Sequence, residues 1–261
     1  MEFGLIVVGD EILSGRRQDK HFSKVVELLG ARGLQLSWAE FIGDDPVRLT
    51  ALLRRSFGGD DIVFCCGGIG ATPDDHTRQC AAAALGLPLA LHPEGRRNIE
   101  QRIRDTAREA GHEADLQAPD NLQRLKMAEF PEGADLIPNP YNRIAGFTVR
   151  RHHFVPGFPV MAWPMLAWVL DTHYAHLFHA SVHLERSLIV YEQAEALLTP
   201  LMEALERDYP GVRVFSLPSV GDAQTRRHIE LGVKGAPAQV EPAFLAMQAE
   251  LQRRRAEFRT L

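Results

Sequence analysis

The apolar positions of this chain follow two periods, and the switching between them lays out its first third. "FGLIVVG" (3–9) is a continuous, β-branched run closed by glycine, the pattern of a strand buried on both faces. "DKHFSKVVELLGAR" (19–32) instead places Phe22, Val25, Val26 and Leu29 at helical spacing and stops near Gly33. "LQLSWAEFIG" (34–43) alternates as a second strand. "DPVRLTALLRRSF" (45–57) opens on Asp-Pro, where a proline in the first turn loses no donor that the helix needs. "DIVFCCGG" (61–68) predicts a third buried strand and "DHTRQCAAAALGL" (75–87) the helix after it. This βαβαβα order implies right-handed crossovers and a parallel sheet covered on both faces.

Further along, residues 93–110 predict a long helix, 146–149 and 153–155 two short strands, and Pro-Gly-Phe-Pro a turn before a helix from about 160. After about 178 the character changes. Strands at 179–191, 212–218 and 226–235 with helices at 192–209 and 240–258 describe a small α+β domain without a glycine-rich loop. The division is expected at 174/175, giving domains 1–174 and 175–261.

Composition narrows the function classes. With 45% hydrophobic and 24% charged residues, a chain of 261 can bury a sizeable core. A net charge of -5 offers no general attraction to nucleic acid or to an anionic membrane. The arginines of "LQRRRAEFRTL" have a glutamate and leucines among them and read as the solvated face of a last helix. No apolar run reaches the roughly 18 residues of a spanning helix. Cys65, Cys66 and Cys80 make no C-x-x-C pair and read as reduced core residues of a cytoplasmic protein.

The candidate chemistry lies where parallel strands end, since open sheets bind ligands outside their carboxyl edge. Three loops leave the sheet there, and all three carry acids. "GDEILSG" (9–15) offers Gly9, Asp10 and Glu11; "GDDP" (43–46) offers Asp44 and Asp45; "GGIGATPDD" (67–75) offers Asp74 and Asp75. The glycines of the third loop permit a backbone path that exposes N–H groups to anionic oxygens. Capping a helix would account for one aspartate there, but not for acids in three converging loops. Carboxylates beside a phosphate cradle are explained by a divalent cation that both oxygen types share. Arg16, Arg17 or Lys20 could neutralise phosphate charge.

"GDEILSG", "GGIGATPDDHT", "LIPNP" and "PGFP", in this order, resemble the molybdopterin-binding family of MogA, MoaB and the middle domain of MoeA. They are more similar still to the N-terminal domain of CinA, the competence/damage-inducible protein A family, over about residues 1–170. The resemblance implies an α/β three-layer αβα sandwich with a mostly parallel sheet, followed by the small α+β domain. It implies metal-dependent hydrolysis of the pyrophosphate of ADP-ribose or a related dinucleotide such as FAD. The alternative is a molybdopterin-binding protein of molybdenum cofactor biosynthesis without hydrolase activity. Under this resemblance Asp10, Glu11, Asp44 and Asp75 would hold a Mg, Mn or Co ion, with Asp75, Asp74 and Asp44 as catalytic acids. Gly9, Gly67, Gly68, Gly70, Thr72, Asn139, Pro140 and Gly157 would contact substrate or phosphate.

The departures bear on the substrate. "YNRIAGF" follows "NP" where the family has small residues, so Tyr141 and Arg143 are expected to fill part of the pocket. His21 stands where the family often has asparagine, and the deamidase domain that completes many CinA proteins is expected to be absent. The histidines at 173, 176, 179 and 183, and likewise those at 152 and 153, are expected at an interface or on ordinary surface rather than as zinc ligands, because the spacing alone supplies no coordination geometry. Trp163 and Trp168 with Met161 and Met165 are expected to pack in a core or against a second subunit, which makes a homodimer the expected assembly. A small nucleotide or pterin is the expected partner, with no nucleic acid and no membrane.

Overall fold

The computed structural model describes residues 2–180, 184–222 and 224–261. The chain divides into two compact units, Met1–Phe178 and His179–Leu261. Leu177 and Phe178 pack on the core of the first unit, so that unit runs four residues past the 174/175 division expected from the sequence.

In the first unit, strand β1 (Phe3–Val8) leads through a short helix α1 (Asp10–Leu13) to α2 (His21–Gly30) and β2 (Leu36–Ile42). Then come α3 (Pro46–Phe57), β3 (Ile62–Cys66), α4 (Thr77–Leu85), β4 (Leu89–Leu91), α5 (Pro93–Glu109) and α6 (Pro119–Leu125). Strands β5 (Glu129–Pro131), β6 (Asp135–Ile137), β7 (Gly146–Val149) and β8 (His152–Val155) precede α7 (Pro159–His173). The main sheet has six strands in the order β2-β1-β3-β8-β7-β6. The first four are parallel neighbours, and β7 and β6 continue the sheet antiparallel.

The alternation of side chains along a strand sorts the core into two layers. Leu5, Val7, Phe64 and Cys66 face α2 and α7, where they meet Val25, Leu29, Met165 and Val169. Ile6, Val8, Val63 and Cys65 face the other way and pack with Leu49 and Leu53 of α3 and Cys80 and Ala81 of α4. The architecture is therefore an αβα sandwich with a mostly parallel sheet. The continuous apolar runs of β1 and β3 arise because both of their faces are covered. All three cysteines are buried and unpaired, and burial pushes the Cys65 and Cys66 thiols far up.

The second unit has strand β9 (Leu184–Tyr191), helix α8 (Glu195–Asp208), β10 (Arg213–Ser219), β11 (His228–Gly235), α9 (Pro237–Arg253) and β12 (Phe258–Thr260). Its sheet is antiparallel in the order β10-β11-β9-β12. The core under its helices is built from Leu188, Val190, Leu231, Val233, Leu201 and Phe244. Two expectations change here. The first strand begins by 184, and residues 181–183 of its predicted start, His183 included, lie outside the described residues. The last helix ends at Arg253 rather than 258, because Arg255 takes a left-handed φ of 55° that turns the chain into β12 beside β9. No helix among the described residues is long and apolar enough to cross a membrane.

The paired histidines of β8, expected at an interface or on the surface, are core groups instead, because β8 lies inside the sheet between β3 and β7. His153 is 1% exposed, with Nδ1 at 2.8 Å from the Thr148 hydroxyl and Nε2 at 2.7 Å from the Tyr174 hydroxyl. His152 lies 2.7 Å from Ser56 Oγ and packs on Phe57. Burial of the charged form lowers their pKa to about 3 for His153 and about 4 for His152. Both are neutral in the fold and protonate more readily unfolded, so their contribution is present above about pH 6.5 and is lost as pH falls toward these values. Each therefore steepens the loss of stability by about 1.4 kcal/mol per pH unit between roughly pH 6 and 4. Urea denaturation of His153→Gln against the parent across that range tests this: the variant's slope should be shallower by that amount, and an unchanged slope would contradict neutral burial.

Candidate functional site

The loops after β1, β2, β3 and β8 meet at the carboxyl edge of the sheet around a cavity of about 570 Å³. Its floor is the turn that follows β3. Gly67 has φ 112°, and a Cβ there would strike the Val8 carbonyl; Gly68 has φ 66°, and a Cβ there would strike the Thr77 hydroxyl. Neither position accepts another residue without strain. Thr77, wholly buried at the start of α4, locks the turn: its hydroxyl donates to Gly67 O at 3.0 Å and its amide to Gly68 O at 3.0 Å. The amides of Gly68, Ile69, Gly70 and Ala71 make no hydrogen bond among the described residues. Buried or half-buried N–H groups without a protein partner are met by water or by an anionic oxygen, so four in succession beside a cavity make this loop the candidate anion site.

Asp75 closes the loop. Its Oδ2 accepts the Thr72 amide at 2.9 Å and the Thr72 hydroxyl, and it takes no part in capping α4. Thr72 therefore spends its amide on Asp75 rather than on a ligand. Beneath the loop lies Arg78, 3% exposed, which sequence reasoning missed. Its guanidinium donates to the carbonyls of Gly70 at 2.7 Å, Glu129 at 3.3 Å and Lys126. The bond to Gly70 O ties the loop to α4, and those to Lys126 O and Glu129 O tie α4 to the start of β5. Burial draws the Arg78 pKa down while Glu129 and Asp75 push it back up. Its one sequence signal was an arginine at the second position of an otherwise alanine-rich core helix.

The acids of the other loops differ in role. Asp10 and Asp44 clamp their loops reciprocally: Asp10 N donates to Asp44 Oδ2 at 2.9 Å and Asp44 N to Asp10 Oδ1 at 3.2 Å. Asp45 caps α3, accepting the amides of Val47 and Arg48 at 2.9 Å each. Glu11, Asp44, Asp74 and Asp75 line the cavity, whereas Asp10 stands behind Asp44 outside its wall. Burial raises the Asp44 pKa, and the charges of Asp10, Glu11 and Asp74 raise it further against the backbone bond from Asp10.

Among the described residues no three His, Cys, Asp or Glu side chains stand close enough to form a ready-made metal cage. The anionic donors around the cavity are all carboxylates, and their mutual repulsion reaches Asp44. That set fits a hard divalent cation completed by phosphate and water oxygens, and does not fit a cage made by protein alone.

Of the other expected contacts, Gly9, Gly67, Gly68, Gly70, Thr72 and Gly157 line the cavity, and Asn139 and Pro140 do not. Asn139 organises the turn instead: its Nδ2 donates to Asn142 Oδ1 and Ile144 O at 2.9 Å, and its Oδ1 accepts the Tyr141 amide at 3.0 Å. The turn thereby presents Asn142 and Ile144 to the cavity rather than the expected Tyr141 and Arg143. His21, 4% exposed, reaches Gly157 O at 3.0 Å and ties α2 to the loop after β8. Of the basic candidates Arg17 lines the cavity, and Arg16 and Lys20 do not. Met165 is buried, Trp163 and Trp168 pack partly buried on the first core, and Met161 faces the cavity.

These features define an α/β domain with a glycine turn and a set of acids around one cavity at the sheet's carboxyl edge. Residues 4–176 match the family described as a probable molybdopterin binding domain, and the chain belongs to that family. It is 37% identical over 160 residues to a CinA-like protein of Anaeromyxobacter sp. (strain Fw109-5), covering 60% of this chain and 37% of that one. A CinA-like protein of Escherichia coli O9:H4 (strain HS) is 31% identical over 159 residues, covering 59% of this chain and 37% of that one. The matched region thus spans little more than a third of the length of these curated relatives. Among solved structures, the protein CinA with unknown function from Thermoplasma acidophilum superposes with a TM-score of 0.54 at 27% identity, covering 65% of this chain and 96% of that one.

Replacing Arg78 by methionine would remove its donors from the part-buried carbonyls of Gly70, Glu129 and Lys126, the last of which also accepts the Glu129 amide, a loss of about 1 to 3 kcal/mol. Urea denaturation of Arg78→Met should show a loss of that size, with lysine restoring only part because it lacks the planar fork. Parent-like stability of the methionine variant would contradict the supporting role.

Proposed function

We propose that this protein hydrolyses the pyrophosphate bond of ADP-ribose or a related dinucleotide such as FAD, with a divalent cation. The observation that carries this reading is the juxtaposition of four unpaired amides, 68–71, with four carboxylates around one cavity. The amides bind one phosphate of the ligand, and Arg17 faces the same charge. Glu11, Asp44 and Asp75 line the cavity wall without converging into a three-carboxylate cage, so one or two of them would hold the ion together with phosphate and water oxygens, while Asp10 keeps Asp44 in place. A bound Mg²⁺, Mn²⁺ or Co²⁺ supplies Lewis acidity toward a phosphoryl oxygen and a water of lowered pKa. Thr72 holds Asp75 in a single orientation, so that carboxylate need not be ordered when substrate arrives. Water adds across the P–O–P link, and ADP-ribose yields AMP and ribose 5-phosphate.

The family match favours a second reading, in which the same cradle binds the phosphate of molybdopterin and nothing is hydrolysed. Chromatography of products separates the two. Incubation with ADP-ribose, FAD or NAD should release AMP from at least one substrate only when metal is present. Asp44→Asn should lower that rate about a hundredfold or more while the fold is retained. No AMP from any of the three, with intact protein and any of these metals, would overturn the hydrolase reading.

A further inference from the structure

A smaller cavity of about 210 Å³ lies beside the one described above. The two share Ala71, Thr72 and Asp75, so the stretch that closes the glycine loop is the partition between them. The start of α4, with Lys126 and Glu129, forms the rest of the smaller wall. We propose that this small cavity is a separate oxyanion site, which takes inorganic phosphate or the phosphate of a small monoester against the N-terminus of α4. The proposal is independent of whether the large cavity hydrolyses its ligand.

The end of α4 is the first support. No side chain caps it, and its first turn holds no acid. Of its leading amides, Thr77 N is spent on Gly68 O at 3.0 Å and Cys80 N on His76 O at 2.8 Å. Those of Arg78 and Gln79 have no partner among the described residues, and both residues line the small cavity. Two adjacent open amides at the positive end of a helix favour an anionic oxygen.

The Arg78 side chain is the second support and does not depend on the helix end. It is 3% exposed, and its terminal nitrogens are spent on the carbonyls of Lys126, Glu129 and Gly70. Its Nε–H is buried and has no partner among the described residues. A buried charged donor without an acceptor is costly, and this one belongs to a side chain of the cavity wall. Open donors call for a ligand that only accepts, and a tetrahedral oxyanion presents several oxygens on one centre. Asp75 and Glu129 offset the charges of Arg78 and Lys126 at the same wall, so selectivity comes from placed donors rather than from net charge. The volume is below the roughly 300 Å³ at which sites for larger organic ligands begin, and it equals about seven waters at roughly 30 Å³ each. That suits one phosphate with part of its hydration.

Amide NMR of the ¹⁵N-labelled, deuterated full chain in EDTA, titrated with sodium phosphate at constant ionic strength, reads the two cavities separately. Saturable shifts are expected at the Arg78 and Gln79 amides, with a midpoint of about 10 mM or below. Lys126→Glu keeps the backbone carbonyl that Arg78 uses but reverses the charge at the small cavity. It should weaken the response at Arg78 and Gln79 about fivefold or more, and change any response at residues 68–71 less than about twofold. Ribose 5-phosphate in the same titration names the source: matching shifts extend the site to monoesters, and shifts with phosphate alone confine it to the free ion. No saturable shift at Arg78 and Gln79 would overturn the proposal. Shifts there that share the midpoint of residues 68–71 and ignore Lys126→Glu would overturn it too, because they would report one site in the large cavity. Absence of hydrolysis in the product assay overturns only the hydrolase reading and leaves this one standing.

Discussion

The site depends on a backbone path that only glycine can follow. Residues 67 and 68 turn through left-handed space against the Val8 carbonyl and the Thr77 hydroxyl, and the four amides that follow have no partner among the described residues. Unpaired amides beside a half-enclosed cavity are costly unless water or an anion meets them. The surrounding structure keeps them in this state: Thr77 holds the carbonyls of 67 and 68, Arg78 that of 70, and Asp75 takes the amide of 72. The result is a loop braced at both ends whose own amides are its candidate positive groups.

Facing it is a negative rim. Glu11, Asp44, Asp74 and Asp75 come from three loops, and the rise in the Asp44 pKa records both its burial and the charges around it. A ligand with phosphates would meet the amides, and repulsion between those phosphates and the rim would be relieved by a cation between them. The apolar wall of Phe158, Met161 and Ile144 completes a cavity with three chemistries side by side.

Much of this was legible in the sequence, for reasons that differ by residue. The strands β1 and β3 and their flanking helices followed from apolar period, because a strand covered on both faces leaves a continuous run. The acid loops followed from their position after those strands. What the sequence did not reveal were roles fixed by partners far along the chain. Asp10 and Asp44 look equivalent in sequence, yet one lines the cavity and the other braces it from 34 positions away. Asn139 resembled a contact residue, but its amide is consumed within its own turn, which is what brings Asn142 to the wall. Arg78 and β12 were missed because an arginine in a helix and a run of arginines near the terminus both read as solvated surface. Only tertiary contacts distinguish a buried clamp or an edge strand from that pattern.

The central claim is that the amides of 68–71 receive an anionic oxygen. The most direct measurement is backbone amide NMR of the ¹⁵N-labelled, deuterated chain titrated with AMP. The account predicts saturable shifts concentrated at Gly68, Ile69, Gly70 and Ala71, with Thr72 moving less because Asp75 already holds it. Saturable binding that leaves those four amides unmoved would contradict it.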